Sequence, residues 1–180
     1  MARDGVTGAL LVGGASRRFG SPKALARLDG ETLAERAHRT LAEAFPRVVV
    51  VGKVGDGLPL ALPLPLVDDG SDVRAPIVGV AAALRAALDD LVVVLPTDVP
   101  AATPELLVAL AEAAAGVDAA VPQTGPLPGA YRRSALPVLE RRIALGDLAL
   151  RDALGELRTR VVAVDPALVR NVNTPDDLSL

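Results

Sequence analysis

The sequence predicts an α/β fold, a three-layer sandwich built on a mainly parallel sheet, and three observations carry that prediction. Two runs, RVVVVG at 47–52 and LVVVL at 91–95, have continuous β-branched centres of the kind found where helices cover both faces of a strand. Segments with apolar residues at helical spacing lie between such runs. The two kinds of element alternate along the chain, which favours βαβ units over segregated sheets and helices.

At 180 residues the chain suits one domain, 1–180, able to bury a single core without metal or disulfide staples. Hydrophobic residues make up 51% but aromatics only 2%, so that core must be built from Val, Leu, Ile and Ala. There is no cysteine, which excludes disulfides, thiolate nucleophiles and thiolate metal sites. No apolar run reaches the ~18 residues of a membrane span, and the start, MARDGVTGALLV, lacks the features of a signal peptide. The expectation is a cytoplasmic protein with no membrane partner. A net charge of −3 argues against nucleic acid as a partner. The charges are local instead. Arg17, Arg18, Lys23 and Arg27 follow one another without an intervening acid, while Asp68, Asp69 and Asp72 cluster elsewhere. A basic loop and an acidic loop in one domain suit a polyphosphate held together with a metal ion.

The elements read in order as follows. Val6 to Val12 is a short buried strand. LARLDG ends in a turn at Asp29-Gly30, and 31–45 forms a helix whose stripe of Leu33, Ala37, Leu41 and Ala44 is buried, stopped by Pro46. RVVVVG is a strand, and PLALPLPLV contains a short strand within irregular chain. After the acidic loop comes a helix, VGVAAALRAAL, whose small side chains permit a close approach to the sheet. LVVVL at 91–95 is a central strand. TPELLVALAEAAAG is a helix with Thr103 as N-cap, Pro104 at its first position and Gly116 at its end. DAAVP is a strand, GAYRR a strand or a turn, SALPVLERRIALG and ALRDALGEL helices, RVVAV a strand, and NVNTPDDL a loop entering a final helical turn.

The stretch LLVGGASRRFGSPKAL at 10–25 carries the most chemistry. Gly13 and Gly14 remove side chains where a strand must turn, so backbone N–H groups can approach an anion, and Arg17, Arg18 and Lys23 supply matching charge. These are the parts of a phosphate-binding loop, yet the glycines are misplaced for G-x-G-x-x-G and no Lys-Ser or Lys-Thr follows as in a P-loop. A glycine pair alone more often only turns the chain. The second feature is Pro96-Thr97-Asp98-Val99-Pro100, which sets a carboxylate at the carboxyl end of the central strand. Ligands of open α/β sheets bind at such ends, and Mg²⁺ takes one or two carboxylates plus phosphate oxygens and water. A turn cap is an equal reading of Asp98 on the residues alone.

GGxSxRFGxxK followed by AL resembles the nucleotide-binding signature of the molybdenum cofactor guanylyltransferase family, with Val12 in place of the usual alanine. Pro96-Thr97-Asp98-Val99-Pro100 is similar to that family's P-x-D-x-P. Asp68 or Asp69 through Ala75-Pro76-Ile77-Val78-Gly79 is similar to its aspartate followed by G-P-L-A-G, and GAYRRSALPVLE and NVNTPDDL to its later motifs. The matches run from about residue 8 to 178 in the same order. The resemblance implies a Rossmann-like fold of nucleotide-diphospho-sugar transferase type and transfer of GMP from GTP to the phosphate of the molybdopterin cofactor, with release of pyrophosphate. It implies that the Val12, Gly13 and Gly14 backbone meets the guanine base of the nucleotide and that Asp68 or Asp69 also binds the nucleotide. Lys23 then meets the phosphates, Arg18 stabilises the triphosphate, Asp98 holds Mg²⁺ and nucleotide, and Asn171 and Asn173 line the metal or pterin side. Molybdoenzymes or cofactor-insertion proteins are the protein partners it implies.

Ala75, Val78 and Gly52-Lys53 depart from the family pattern, which bears on guanine and leaves the phosphate loop and Asp98 untouched. A cytidylyltransferase on the same scaffold is the near rival, against which Gly13-Gly14 argues because a missing side chain leaves room for a purine. A nucleotide-binding regulatory protein without turnover is the rival of another class, against which Lys23 and Asp98 together argue. His38 is read as a surface residue and Arg17 likewise. Tyr131 is read as a pterin-stacking ring or a core residue, and Arg132 and Arg133 as phosphate contacts or a solvated face.

Overall fold

The computed structural model describes residues 4–13 and 22–178. A seven-stranded sheet forms the middle layer, made of β1 (Val6–Leu11), β4 (Arg47–Gly52), β5 (Leu66–Asp68), β6 (Leu91–Pro96), β7 (Ala119–Pro122), β8 (Gly129–Arg132) and β9 (Thr159–Val162) in the spatial order β5-β4-β1-β6-β8-β7-β9. Every neighbouring pair is parallel except the two made by β8, which runs antiparallel to β6 and to β7. The chain goes outward from β1 through β4 and β5, then returns to the other side of β1 as β6. That reversal opens a crevice at the carboxyl ends of β1 and β6.

Helices α1 (Leu33–Ala44) and α3 (Pro104–Ala113) cover one face, and α2 (Pro76–Ala86), α4 (Leu136–Ala144) and the short α5 (Leu150–Ala153) cover the other. Alternate residues of the central strands feed the two layers: Leu10, Val93 and Leu95 pack with α1 and α3, while Ala9, Val92 and Val94 pack with α2 and α4. The all-apolar run at 91–95 thus has its explanation in burial on both sides. The stripe of Leu33, Ala37, Leu41 and Ala44 is buried as its spacing predicts. Among the described residues no helix is long and apolar enough to cross a membrane.

The boundaries that differ have local causes. Glu31 and Thr32 belong not to the helix but to β3 (Glu31–Thr32), which pairs with β2 (Arg27–Leu28) across an Asp29-Gly30 turn whose two residues have φ of 54° and 84°. Thr32 then caps α1 in a capping box: its hydroxyl accepts from Glu35 N at 3.1 Å and its own N–H donates to Glu35 Oε2 at 2.7 Å. The helix expected at 149–157 is α5 alone, followed by a 3₁₀ turn over Leu154–Glu156. Between β4 and β5, Leu60, Leu62 and Leu64 turn inward against the α1 layer while prolines alternate outward, so this segment is an apolar strap that gains ladder bonds only where β5 begins at Leu66.

Two sequence alternatives resolve here. Tyr131 is fully buried, its hydroxyl donating to Pro126 O at 2.7 Å, so it is a core residue and stacks on no ligand. Arg132 sits opposite Leu91, at the start of β6 and the far end of the sheet from the crevice. It pairs with Asp90 at 2.7 Å, and Arg133 donates to the carbonyls of Ala87 and Asp89, so both arginines staple the turn after α2 rather than meeting a substrate phosphate. His38 is half-buried on α1, and burial lowers its pKa.

Candidate active site

A cleft of about 520 Å³ opens along the carboxyl edge of the sheet. Its floor is Leu11, Val12 and Gly13 at the end of β1 with Pro96 and Asp98 at the end of β6. One wall comes from the ends of β4 and β5 and the start of α2, through Gly52, Lys53, Asp69, Arg74 and Ala75. The opposite wall comes from the β7–β8 loop, Thr124 to Leu127, with Arg151 of α5 and Asn171. A concavity of this size with a few converging charges suits a nucleotide.

Main-chain bonds hold the floor. Val12 N–H donates to Val51 O at 2.9 Å, and Thr97 N–H to Leu11 O at 3.3 Å, so the exits of β1, β4 and β6 are tied together. Gly13 has φ of 137°, backbone that only glycine adopts without strain. Gly52 is required for another reason, since a Cβ there would lie 2.2 Å from Val12 O.

Lys23 begins a 3₁₀ turn just beyond the glycine loop and reaches back to the floor. Its Nζ lies 3.5 Å from Asp98 Oδ2 and 3.5 Å from Asn173 Oδ1, joining residues from three distant parts of the chain. Asp98 in turn holds the last of these by its main chain, accepting from Val172 N at 2.8 Å, and Asp177 fixes the same loop by accepting from Asn173 N and Thr174 N. The Asp98 side chain is only 26% exposed. Burial pushes its pKa up, and the Lys23 ammonium opposes that shift without cancelling it.

The acidic loop divides its labour. Asp68 turns back on its own backbone, accepting from Val54 N at 2.9 Å and Gly70 N at 2.8 Å, which holds its carboxyl below the usual range. Asp69 faces the cleft. Both its oxygens lie 3.0 Å from Lys53 Nζ, which also donates to Ser71 O. Arg74 is similarly taken up by a two-point pair with Asp56. Of the residues departing from the family pattern, Ala75, Gly52 and Lys53 line the cleft, whereas Val78 is buried in the α2 layer.

Of the site residues named from sequence, Val12, Gly13, Asp69, Asp98 and Asn171 line the cleft, and Lys23 and Asn173 meet at Asp98. Asp68 serves the loop. Gly14 and Arg18, with Arg17, lie outside the described residues. The pairing of Lys53 with Asp69 and the wall formed by Thr124 and Arg151 have no sequence signal, because their members are 16 and 27 residues apart.

Whether Mg²⁺ suits these residues can be tested on the donor set. Among the described residues no three His, Cys, Asp or Glu form a metal-binding cluster. Mg²⁺ seldom uses such a cage; it takes one or two carboxylates with substrate phosphates and water. A partly buried carboxylate on the floor of a nucleotide-sized cleft, whose burial the Lys23 ammonium does not fully offset, fits that donor set.

A mainly parallel sheet whose reversal point brings together a glycine turn, a lysine and a partly buried aspartate is the frame of a nucleotide-handling enzyme. The MobA-like NTP transferase domain matches residues 8–161. The chain is 32% identical to a probable molybdenum cofactor guanylyltransferase of Pelotomaculum thermopropionicum, over 96% of this chain and 89% of that one. It is 35% identical to a probable enzyme of the same name from Chloroflexus aggregans, over 97% and 92%. The crystal structure of molybdopterin-guanine dinucleotide biosynthesis protein A from Archaeoglobus fulgidus superposes with a TM-score of 0.83 at 30% identity, covering 96% of this chain and 95% of that one. The chain belongs to the MobA-like NTP transferase family and is a nucleotidyltransferase.

Proposed function

We propose that the protein transfers GMP from GTP to the terminal phosphate of the molybdopterin cofactor and releases pyrophosphate, with Mg²⁺ as its metal. The observation that carries the site assignment is the meeting of Lys23, Asp98 and Asn173 at the reversal point of the sheet, with Lys23 Nζ 3.5 Å from an oxygen of each of the other two, from segments 75 and more residues distant in sequence. The names of the relatives support the choice of nucleotide and acceptor.

The acceptor's phosphate oxygen is already an anion at neutral pH, so the reaction needs positioning and charge neutralisation rather than a general base. That oxygen supplies the electron pair for the new bond to the α-phosphorus. The bond to the bridging oxygen breaks, its pair leaving with pyrophosphate. Gly13 gives the triphosphate close access to main-chain N–H groups, and Lys23 carries positive charge to the phosphates. Asn173 and Asp98 hold the Lys23 ammonium at the cleft floor. Asp98 would hold Mg²⁺, with Asn171 beside it on the cleft wall; when bound, the ion offsets charge on the α-phosphate and the departing pyrophosphate. The apolar floor of Val12 and Pro96 limits water near the reacting phosphorus. Arg18 is assigned to the triphosphate by resemblance alone. A cytoplasmic setting, supported by a chain without cysteine, belongs to the same proposal.

The test is pyrophosphate release from each of GTP, CTP, ATP and UTP in the presence of the molybdopterin cofactor and Mg²⁺, with thermal shift for each nucleotide alongside. GTP should give turnover and the largest stabilisation, about 2.7 kcal/mol at a hundred times its dissociation constant. Turnover with CTP in preference to GTP would reassign the base.

A further inference from the structure

Three cationic side chains line the cleft, beside whose floor Lys23 meets Asp98, and two of the three are already neutralised: Lys53 by Asp69 and Arg74 by Asp56. Arg151 differs. Among the described residues its one polar partner is a neutral carbonyl, Thr124 O, which its Nη2 meets at 3.0 Å. The wall it stands on, Thr124 to Leu127, contributes no carboxylate. Gly125 leaves the guanidinium its room, since a Cβ there would come 3.3 Å from Arg151 Nη2. The result is a positive charge, anchored through one of its five N–H groups, on the side of Asp98 remote from Lys53 and Asp69.

We infer that Arg151 receives the phosphate monoester of the acceptor and orients it for attack. This rests on the transfer reaction proposed above. An in-line displacement places acceptor and leaving pyrophosphate on opposite sides of the α-phosphorus. Gly13 and Lys23 serve the triphosphate from the β1 side of the floor, so the acceptor enters along the β7–β8 wall, where Arg151 is the cation among the described residues. A planar fork with N–H groups to spare is suited to two-point contact with a phosphate, and the Thr124 bond sets its plane in advance. Arg151 holds charge and orientation only; no proton moves to or from it, and the bond changes remain those given above.

The experiment compares wild type with Arg151→Gln and Arg151→Lys. Glutamine keeps a planar N–H donor on a shorter side chain but carries no charge, so the melting temperature reports separately on any loss of the bond to Thr124 O. The expected result for Arg151→Gln is a KM for the molybdopterin cofactor raised roughly ten- to a hundredfold, with the Kd for GTP and the melting temperature unchanged. Arg151→Lys should recover part of the loss, and added salt should raise the acceptor KM of the wild type more than that of Arg151→Gln. An unchanged acceptor KM in Arg151→Gln would overturn the inference and leave Arg151 as a staple of the 124–127 loop. A parallel rise in the Kd for GTP would overturn it too, placing the arginine on the triphosphate. Titration of the cofactor without GTP separates this inference from the reaction itself. Acceptor binding that depends on Arg151 without turnover would refute only the reaction, whereas turnover indifferent to Arg151 would refute only the inference.

Discussion

Replacing Asp98 by asparagine should separate binding, stability and turnover in one protein. The substitution keeps the side chain's shape and one carbonyl oxygen, and removes a negative charge 3.5 Å from Lys23. The bond that docks the 171–173 loop is made by the Asp98 main chain, so that loop should stay in place. Burial raises the Asp98 pKa despite Lys23, which means the fold disfavours the ionised form relative to the unfolded chain. A carboxyl raised in this way subtracts stability once the pH exceeds its folded pKa, and asparagine removes that cost. Melting of the unliganded variant at pH 7 should therefore be level with wild type or higher. Turnover should move the other way. Removing one preorganised charge from a site where charge develops typically lowers kcat by about 10²–10³-fold, or about 2.7–4 kcal/mol of barrier. The assay is pyrophosphate release from GTP and the molybdopterin cofactor across a Mg²⁺ titration, with GTP affinity measured separately and expected to survive in part. Asparagine caps turns as well as aspartate does, so a purely structural Asp98 predicts wild-type behaviour throughout. Near-normal turnover at ordinary Mg²⁺ would refute the metal-ligand assignment.

Lys23→Ala should weaken GTP binding by roughly tenfold or more in a protein that still folds, and should lower the melting temperature at pH 7 by the equivalent of about 1–2 kcal/mol, because it removes the ammonium that opposes the burial cost of Asp98; titration calorimetry and a melt decide it. Gly52→Ala should destabilise by about 1–3 kcal/mol and raise the KM for the nucleotide, since its Cβ would press on Val12 O, which is main chain and can yield only by moving the cleft floor. Unchanged denaturant midpoints would contradict the close approach of β1 and β4. Asp118 is held well below the usual carboxylate range by Arg158, and further by the Ser134 hydroxyl. Its folded pKa lies below the unfolded one, so its stabilisation is present above about pH 4 and is lost as the pH falls further. Asp118→Asn should therefore melt lower than wild type at pH 7, by the equivalent of about 1–2 kcal/mol given that Arg158 is largely exposed, and the gap should narrow toward pH 2.

The sequence by itself determined most of the elements and what chemistry the chain could carry, though not the β2–β3 hairpin, nor whether GAYRR is a strand or a turn. Continuous β-branched runs, capped helices and their alternation are local properties, set by side-chain branching, spacing and the backbone limits of glycine and proline. The glycine loop, Lys23 and the aspartate between two prolines are short-range patterns of the same kind. What only the tertiary structure decided is which of the charged residues meet. Arg132 and Arg133 read in sequence equally as phosphate contacts or as a solvated face, and the structure decides it: β8 runs antiparallel and carries them to the far end of the sheet. Asp68 and Asp69 are adjacent in sequence and on opposite duties, one tied to loop N–H groups and the other to Lys53 in the cleft. Arg151 has no motif around it and comes to the cleft because α5 packs beside the β7–β8 loop. Lys23 meets Asn173 across 150 residues. Strand order and direction fix such encounters, and those follow from how all the apolar faces are buried together, a property of the whole chain that no local pattern contains.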